Sequence, residues 1–346
     1  MRVAESRVPI PLVPGIHAPD FVLPSVEAGR SVSLGAQRGK NVVLLFFPFP
    51  CGENLAAQLH GYQERMPGFA EQEAVVIGVA NAPEDSLRKL TRAKGIDFPL
   101  VSDSQPAGAT AGLYGARSED GKDLAAVFVI DEEGLIRRVY EPAPDGALPN
   151  PAMVARALNK LSDTPKPAPI SEDDWRQGSR EAPVVLIEYS DYQCGRCAEL
   201  HDLLDQVLPK YSNKVLLAHR HYLLRHSHPQ AQAAAEAAEA AGAQGKFWEM
   251  HHRLFGARQH LEWEQILRCG AKVGLDLDRF LGDLDGHRYE GVVNEKFRLA
   301  VTEKVKFPPA LFINRIPFEG PRTSEAICAR IDSLLACTSQ IESGRP

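Results

Sequence analysis

Cys194 and Cys197 stand three positions apart, with Gly195 and Arg196 between them. An apolar strand-like run, Val184 to Tyr189, precedes them, and an amphipathic helical pattern, Leu200 to Leu208, follows. Two cysteines at this spacing at a helix start put both sulfurs on one side of the first turn, where unsatisfied backbone N–H groups and the helix dipole favour a thiolate. The spacing predicts that Cys194 is the acidic thiol, able to act as nucleophile and as leaving group. Arg196 adds a positive charge that stabilises the thiolate further when its side chain folds back toward the sulfur. Cys-x-x-Cys also opens many zinc sites, and His219, His221, His226 and His228 lie downstream. A closed zinc site needs two more ligands at defined spacing, and no later cysteine forms a second such pair, so redox chemistry is the stronger reading.

Glu188 ends a continuous apolar run six residues before Cys194. An ionisable group in a strand buried on both faces is costly without a task, which predicts a proton acceptor beneath the second cysteine. The alternative is a solvent-facing residue on a one-sided strand. Pro308 and Pro309 directly precede the strand pattern Ala310 to Ile316. A cis bond there would expose the preceding backbone as a short docking edge for an extended chain, whereas two trans prolines would make a rigid loop. His219 and His221 have the period of a strand and could point both imidazoles one way, but no carboxylate cluster accompanies them in sequence, so packing or surface roles are expected. Cys328 and Cys337 share the last helical pattern about 13.5 Å apart along its axis, too far to pair with each other. With Cys269 they are expected to be small buried hydrophobes.

The elements that must position these groups alternate between strand and helix patterns, as in an α/β layer fold. In the first half, Val42 to Phe47 and Ala74 to Ala80 read as strands, and Asn54 to Gln72 and Pro83 to Lys94 as helices. Leu124 to Ile130 and Leu135 to Tyr140 flank a hairpin turn at Asp131 to Gly134, and Pro151 to Leu161 closes the unit as a helix. The run Thr164-Pro-Lys-Pro-Ala-Pro and the polar stretch Ser171 to Arg180 read as a linker. After the cysteine pair come an Ala-rich helix within Pro229 to Ala243 and further helices at Lys246 to Phe255, Trp263 to Val273 and Leu277 to Leu284, then a last helix from Ser324. The expected domains are residues 1–162, a linker 163–181, and residues 182–346. A length of 346 residues with 44% apolar and 24% charged residues supports two domains with cores of their own and excludes a mostly disordered chain. The net charge of −6 leaves no basic excess for nucleic acid. The longest apolar stretch is too short to cross a bilayer, and the charges and prolines of Met1 to Pro11 do not form a secretory leader. No nucleic-acid or membrane partner is expected, and the expected location is cytoplasmic, where six cysteines point to reactive thiols rather than a disulfide scaffold.

Taken together, Glu188, Cys194-Gly-Arg-Cys197, His228-Pro229, Gly245-Lys-Phe-Trp-Glu-Met-His251 and Pro309-Ala-Leu-Phe-Ile-Asn314 resemble the DsbA-like thiol-disulfide oxidoreductases, from about Ala182 to Leu335. The resemblance implies a thioredoxin fold with a helical insertion, Cys194 as attacking thiol, Cys197 as resolving thiol, Glu188 as buried acid and Pro309 as cis-proline. Gly195-Arg196 replaces the family's frequent Pro-His, and Pro308, which has no N–H, stands where Thr or Val commonly precedes the cis-proline.

The first half, from about Pro14 to Leu161, resembles the peroxiredoxin (AhpC/TSA) pattern in Ala18-Pro-Asp-Phe-Val-Leu23, Gly39-Lys-Asn-Val-Val-Leu-Leu-Phe-Phe-Pro48, Phe98-Pro-Leu-Val-Ser-Asp103 and Phe128-Val-Ile-Asp131. The resemblance makes Cys51 the candidate peroxidatic thiol. Its surroundings depart from the family: Pro48 replaces the threonine three residues before the cysteine, and Ala125-Ala126-Val127 stands where the arginine would precede the Phe128 run. The chemistry needs donors to meet the charge that develops on the leaving oxygen.

The expected fold is therefore α/β, with two tandem thioredoxin-like domains, the second carrying the helical insertion. The expected function is disulfide exchange through Cys194 and Cys197, with a degenerate peroxiredoxin-like domain for docking or regulation. Two alternatives stay open: a self-reducing peroxiredoxin in which Cys194 and Cys197 reduce Cys51, and a non-enzymatic redox-regulated or zinc-holding binding protein. The leading reading requires no cofactor and no metal. It implies protein or small-molecule disulfide substrates and a reductant of the thioredoxin or glutathione class.

Overall fold

Runs of buried β-branched and aliphatic residues bounded by helices build two sheets, one in each half of the chain. The computed structural model describes residues 12–344 except 28, 119 and 142–145. The N-terminal run Met1 to Pro11, from which the absence of a leader is read, lies outside the described residues.

The first unit begins with a short antiparallel pair, β1 (Val22–Pro24) and β2 (Ser31–Ser33). Its main sheet contains β3 (Asn41–Phe46), β4 (Ala74–Ala80), β5 (Leu100–Ser102), β6 (Ala126–Ile130) and β7 (Ile136–Tyr140), in the order β5-β4-β3-β6-β7. β3 runs parallel to β4 and antiparallel to β6, so the central strand is covered on both edges and is almost wholly buried. Helices α1 (Glu53–Glu64), α2 (Met66–Ala70), α3 (Glu84–Lys94), α4 (Ala109–Leu113) and α5 (Pro151–Leu161) complete the unit. The single helix expected over Asn54 to Gln72 is two helices, because Pro67 lies in the first turn of α2, where its missing N–H costs nothing, and would break a longer helix.

The second unit has β8 (Trp175–Gly178), β9 (Val184–Ser190), β10 (Val215–His221), β11 (Ala310–Ile313) and β12 (Ile316–Pro317), ordered β12-β11-β9-β10-β8. β9 and β10 are parallel, with Glu188 in register with His219 and Ser190 with His221. Helix α6 (Gly195–Val207) follows β9 directly. α7 (Ala231–Gly242), α8 (Phe247–Gly256), α9 (Trp263–Val273), α10 (Leu277–Asp285) and α11 (Glu290–Thr302) lie between β10 and β11, and α12 (Ser324–Ser343) closes the chain. This is the helical insertion expected from sequence. The alanines of α7 let neighbours approach closely: a Cβ on Gly242 would collide with the ring of Trp175, which stacks on Phe247 at 4.5 Å.

Three boundaries differ from expectation. The stretch expected to be linker contributes β8, which pairs antiparallel with β10, so the second compact unit starts at Pro165 rather than Ala182. It ends at Asp332, inside α12, and the described residues 333–344 group with the first unit instead of the second. The strand expected over Ala310 to Ile316 is a hairpin, β11 and β12, turned by Asn314 and Arg315 at positive φ. Sequence reading also leaves out α11, whose buried positions Val293, Lys296 and Ala300 include a lysine that hides the apolar face.

Candidate active site

Cys194 is the N-cap residue of α6, with extended backbone at φ −76° and ψ 117°. Its own carbonyl accepts from the N–H groups of Cys197 and Ala198 at 3.1 Å. The thiol of Cys197 and the N–H groups of Cys197 and Arg196 favour the thiolate more than burial and Asp191 oppose it, which lowers Cys194 to about 6. Arg196 itself is exposed, and its contribution is its backbone N–H rather than the folded-back guanidinium expected from sequence. Cys197 is fully buried and takes the opposite direction. Burial first, then the hydrogen bond to Cys194, hold it as a thiol, the Asp191 N–H, 3.5 Å from its sulfur, opposes them, and the charges of Cys194 and Glu188 add smaller support. Two thiols on one helical turn thus have well-separated acidities.

Glu188 is on β9 with 0% exposure, and neither of its carboxylate oxygens has a hydrogen-bond partner. Burial pushes its carboxyl up to about 7, with the charge of His201 opposing. Its sheet neighbour His219 places Nδ1 3.9 Å from Oε2 of Glu188. His219 Nε2 is 3.3 Å from His221 Nδ1, and His221 Nε2 is 2.9 Å from Oε1 of Glu239, whose other oxygen accepts from Trp175 at 2.9 Å. Burial raises the Glu239 carboxyl, but His221 and Trp175 outweigh it and hold Glu239 below the usual range. An ionised Glu239 accepts only, so His221 donates to it from Nε2. His219 Nδ1 faces the Ser190 hydroxyl at 3.4 Å and, beyond it, Glu188. His251 on α8 joins from the other side, its Nδ1 2.9 Å from the Tyr192 hydroxyl, and burial keeps both His219 and His251 neutral.

This network corrects the expectation for the histidines. His219 and His221 are buried and point the same way, and Glu188 and Glu239 accompany them. His228 is 3.0 Å from Asp191, which also accepts from the N–H groups of Gln193 and Leu224 and so shapes the loop before Cys194. His226 is exposed. The signal available in sequence was the two-residue period shared by Glu188 and Ser190 on one strand and His219 and His221 on the next. Two groups of three side chains among the described residues have converging ligand atoms, Glu188 with His219 and His251, and His201 with Asp205 and His252.

The Pro308–Pro309 bond is cis. Ala310 pairs with Tyr189, so Pro309 lies at the end of the sheet where β9 leads into the cysteine loop. Cys269 and Cys337 are buried as expected, whereas Cys328 is half-exposed, with Lys210 Nζ 3.9 Å from its sulfur.

In the first unit Cys51 lies just before α1, half-buried against the core that contains Val43, Phe47 and Leu59. Burial pushes its thiol up, and its own backbone N–H and the charge of Lys94 offset this only in part. Arg117 donates to the carbonyls of Ala107 and Gly121 and pairs with Asp123 at 3.7 Å.

The AhpC/TSA family model matches residues 14–139, and the thioredoxin family model matches residues 171–333. The chain joins an AhpC/TSA-family domain to a thioredoxin-family domain. Both domains have thioredoxin-like folds. Among curated relatives, the Na(+)/H(+) antiporter NhaA 3 of Salinispora tropica is 38% identical over 231 residues, covering 66% of this chain and 35% of its own. The Na(+)/H(+) antiporter NhaA 1 of Mycolicibacterium vanbaalenii is 33% identical over 168 residues, covering 48% of this chain and 27% of its own. The chain thus spans about a third or less of the length of these relatives. Among solved structures, BdbD of Bacillus subtilis aligns with TM-score 0.45 at 18% identity, over 50% of this chain and 99% of that one. AhpC of Mycobacterium tuberculosis aligns with TM-score 0.40 at 19% identity, over 44% of this chain and 94% of that one. Among the described residues no helix is long and apolar enough to cross a membrane.

Proposed function

We propose that the thioredoxin-family domain is a DsbA-like thiol-disulfide oxidoreductase working through Cys194 and Cys197. The observation that carries this reading is the opposed acidity of the two thiols on one helical turn above the unpartnered carboxyl of Glu188. The Cys194 thiolate attacks one sulfur of a substrate disulfide, and the other substrate sulfur leaves as a thiolate. Cys197 then gives its proton to ionised Glu188, and its sulfur attacks Cys194 Sγ. The second substrate sulfur departs, a Cys194–Cys197 disulfide forms, and two electrons have passed to the substrate. A thiol as acidic as Cys194 is also a good leaving group, so the same geometry serves the reverse direction. Glutathione keeps cytosolic thiols reduced, so in the cytoplasmic location we propose, the net direction is reduction or isomerisation.

Substrates in this reading are protein or small-molecule disulfides, and a reductant of the thioredoxin or glutathione class returns the pair to dithiol. The AhpC/TSA domain serves docking or regulation, since Cys51 lacks the charges that would make it a fast peroxidatic thiol. The experiment is covalent trapping with a disulfide substrate. Cys197→Ser should accumulate a mixed disulfide at Cys194, because attack remains possible and resolution does not, while Cys194→Ser should form none. Equal trapping by the two variants would refute the assigned roles.

A further inference from the structure

His201 lies on α6 one turn after Cys197, and Asp205 lies one turn further on the same helix face. His252 of α8 meets them. His201 Nε2 and His252 Nδ1 are 3.1 Å apart, His201 Nε2 and Asp205 Oδ2 are 3.5 Å apart, and His252 Nδ1 and the same Asp205 oxygen are 3.4 Å apart. Three ligand atoms around a tetrahedral zinc ion, with bonds of about 2.0–2.2 Å, are separated by about 3.3–3.6 Å. The two separations to Asp205 fall in that range, and the two imidazole nitrogens need to part by only a few tenths of an ångström to complete three corners of such a tetrahedron.

Hydrogen bonding alone does not account for the triangle. Each neutral imidazole has one N–H with one direction, so protons serve at most two of the three edges, whereas a cation at the centre serves all three. The ligand set is also held in place from behind. The His201 ring stacks on Phe255 with centroids 4.7 Å apart and meets the edge of His251 at 5.0 Å. The His201 side chain is 8% exposed, while those of Asp205 and His252 are 47% and 40% exposed, which gives an ion a route in and leaves the fourth position facing solvent. The buried group of Glu188, His219 and His251 lacks such a route, and its members already serve the redox site.

We propose that His201, Asp205 and His252 bind one divalent transition-metal ion of the zinc class, with three protein ligands and an open fourth position. Two imidazoles and one carboxylate suit zinc and its neighbours and disfavour magnesium and calcium, which take oxygen ligands. The ion clamps the helix that carries both cysteines to the helical insertion.

The test titrates tag-free, full-length protein, oxidised at Cys194 and Cys197 so that this pair offers no thiolate, with zinc chloride by calorimetry and with cobalt(II) by visible absorption. We expect one equivalent bound, a cobalt spectrum without a thiolate charge-transfer band, and a melting temperature that rises with zinc concentration. His252→Asn and Asp205→Asn, both at exposed positions, should each weaken binding beyond the 10–100-fold that loss of an outer-shell partner costs, while melting like wild type in chelator. The proposal fails if wild type binds no zinc, if neither variant weakens binding, if cobalt shows thiolate ligation, or if Glu188→Gln abolishes binding and the two surface variants do not.

Discussion

His219 Nδ1 stands 3.9 Å from Oε2 of Glu188, the two side chains being in register on adjacent parallel strands and both sealed from solvent. Burial is what raises the Glu188 carboxyl to near neutral pH, and the charge of His201 opposes it only in part.

Glu188→Gln should slow release of the mixed disulfide by about 10²-fold or more, because the base for the Cys197 thiol is lost. Rapid-quench measurement of the Cys194 adduct at neutral pH would show this, and unchanged release would make Glu188 purely structural. The same variant has a signature in stability. A carboxyl raised from 4.5 to about 7 binds more protons folded than unfolded, so its contribution is fully present below pH 4.5 and is lost as pH rises through about 7. Urea unfolding should show wild type losing stability relative to the Gln variant over that window and levelling off above it.

Alkylation of Cys194 by iodoacetamide should follow a thiolate titration with its midpoint at about 6. Arg196→Ala should leave that midpoint in place, since the residue contributes its backbone N–H. A midpoint that climbs toward 9 in the variant, read by mass spectrometry of the labelled peptide, would restore a role for the guanidinium.

Cys51 should consume hydrogen peroxide little faster than an ordinary thiol, as burial disfavours its thiolate. Peroxide consumption by the reduced protein should be nearly the same in Cys51→Ser. Rapid turnover that disappears with Cys51, together with a Cys51–Cys194 disulfide in non-reducing peptide maps, would instead identify a self-reducing peroxiredoxin.

Arg220 anchors a buried ionic cluster of structural importance. It bonds both oxygens of Asp174 at 3.0 and 2.9 Å, the Tyr189 hydroxyl at 2.8 Å and Glu303 at 3.2 Å, and Lys296 adds a bond to Asp174 at 2.9 Å. Arg220→Met should cost roughly 3–5 kcal/mol, because it removes a buried charge partner from both Asp174 and Glu303, leaving Lys296 alone against two carboxylates. Chemical denaturation measures this. A cost below about 1 kcal/mol would mean that solvent or Lys296 already compensates the cluster.

The sequence by itself determined what depends on local periodicity. Cys194 and Cys197 fall on one helical turn because backbone geometry ties that spacing to a helix start, and Ala74–Ala80, Pro151–Leu161 and Trp263–Val273 match the patterns read for them. An uninterrupted apolar run was enough to place Glu188 inside a central strand. Only the tertiary structure decided what these groups meet. The imidazoles of His201, His219, His251 and His252 come from α6, β10 and α8, and their approach depends on sheet register and helix packing, which no spacing in the chain encodes. Residues in the expected linker form β8 because an open sheet edge on β10 receives them, despite the flanking prolines. Arg196 followed the same rule in the opposite sense: its position beside the cysteines was legible, but its side chain turns to solvent and leaves only an N–H at the site.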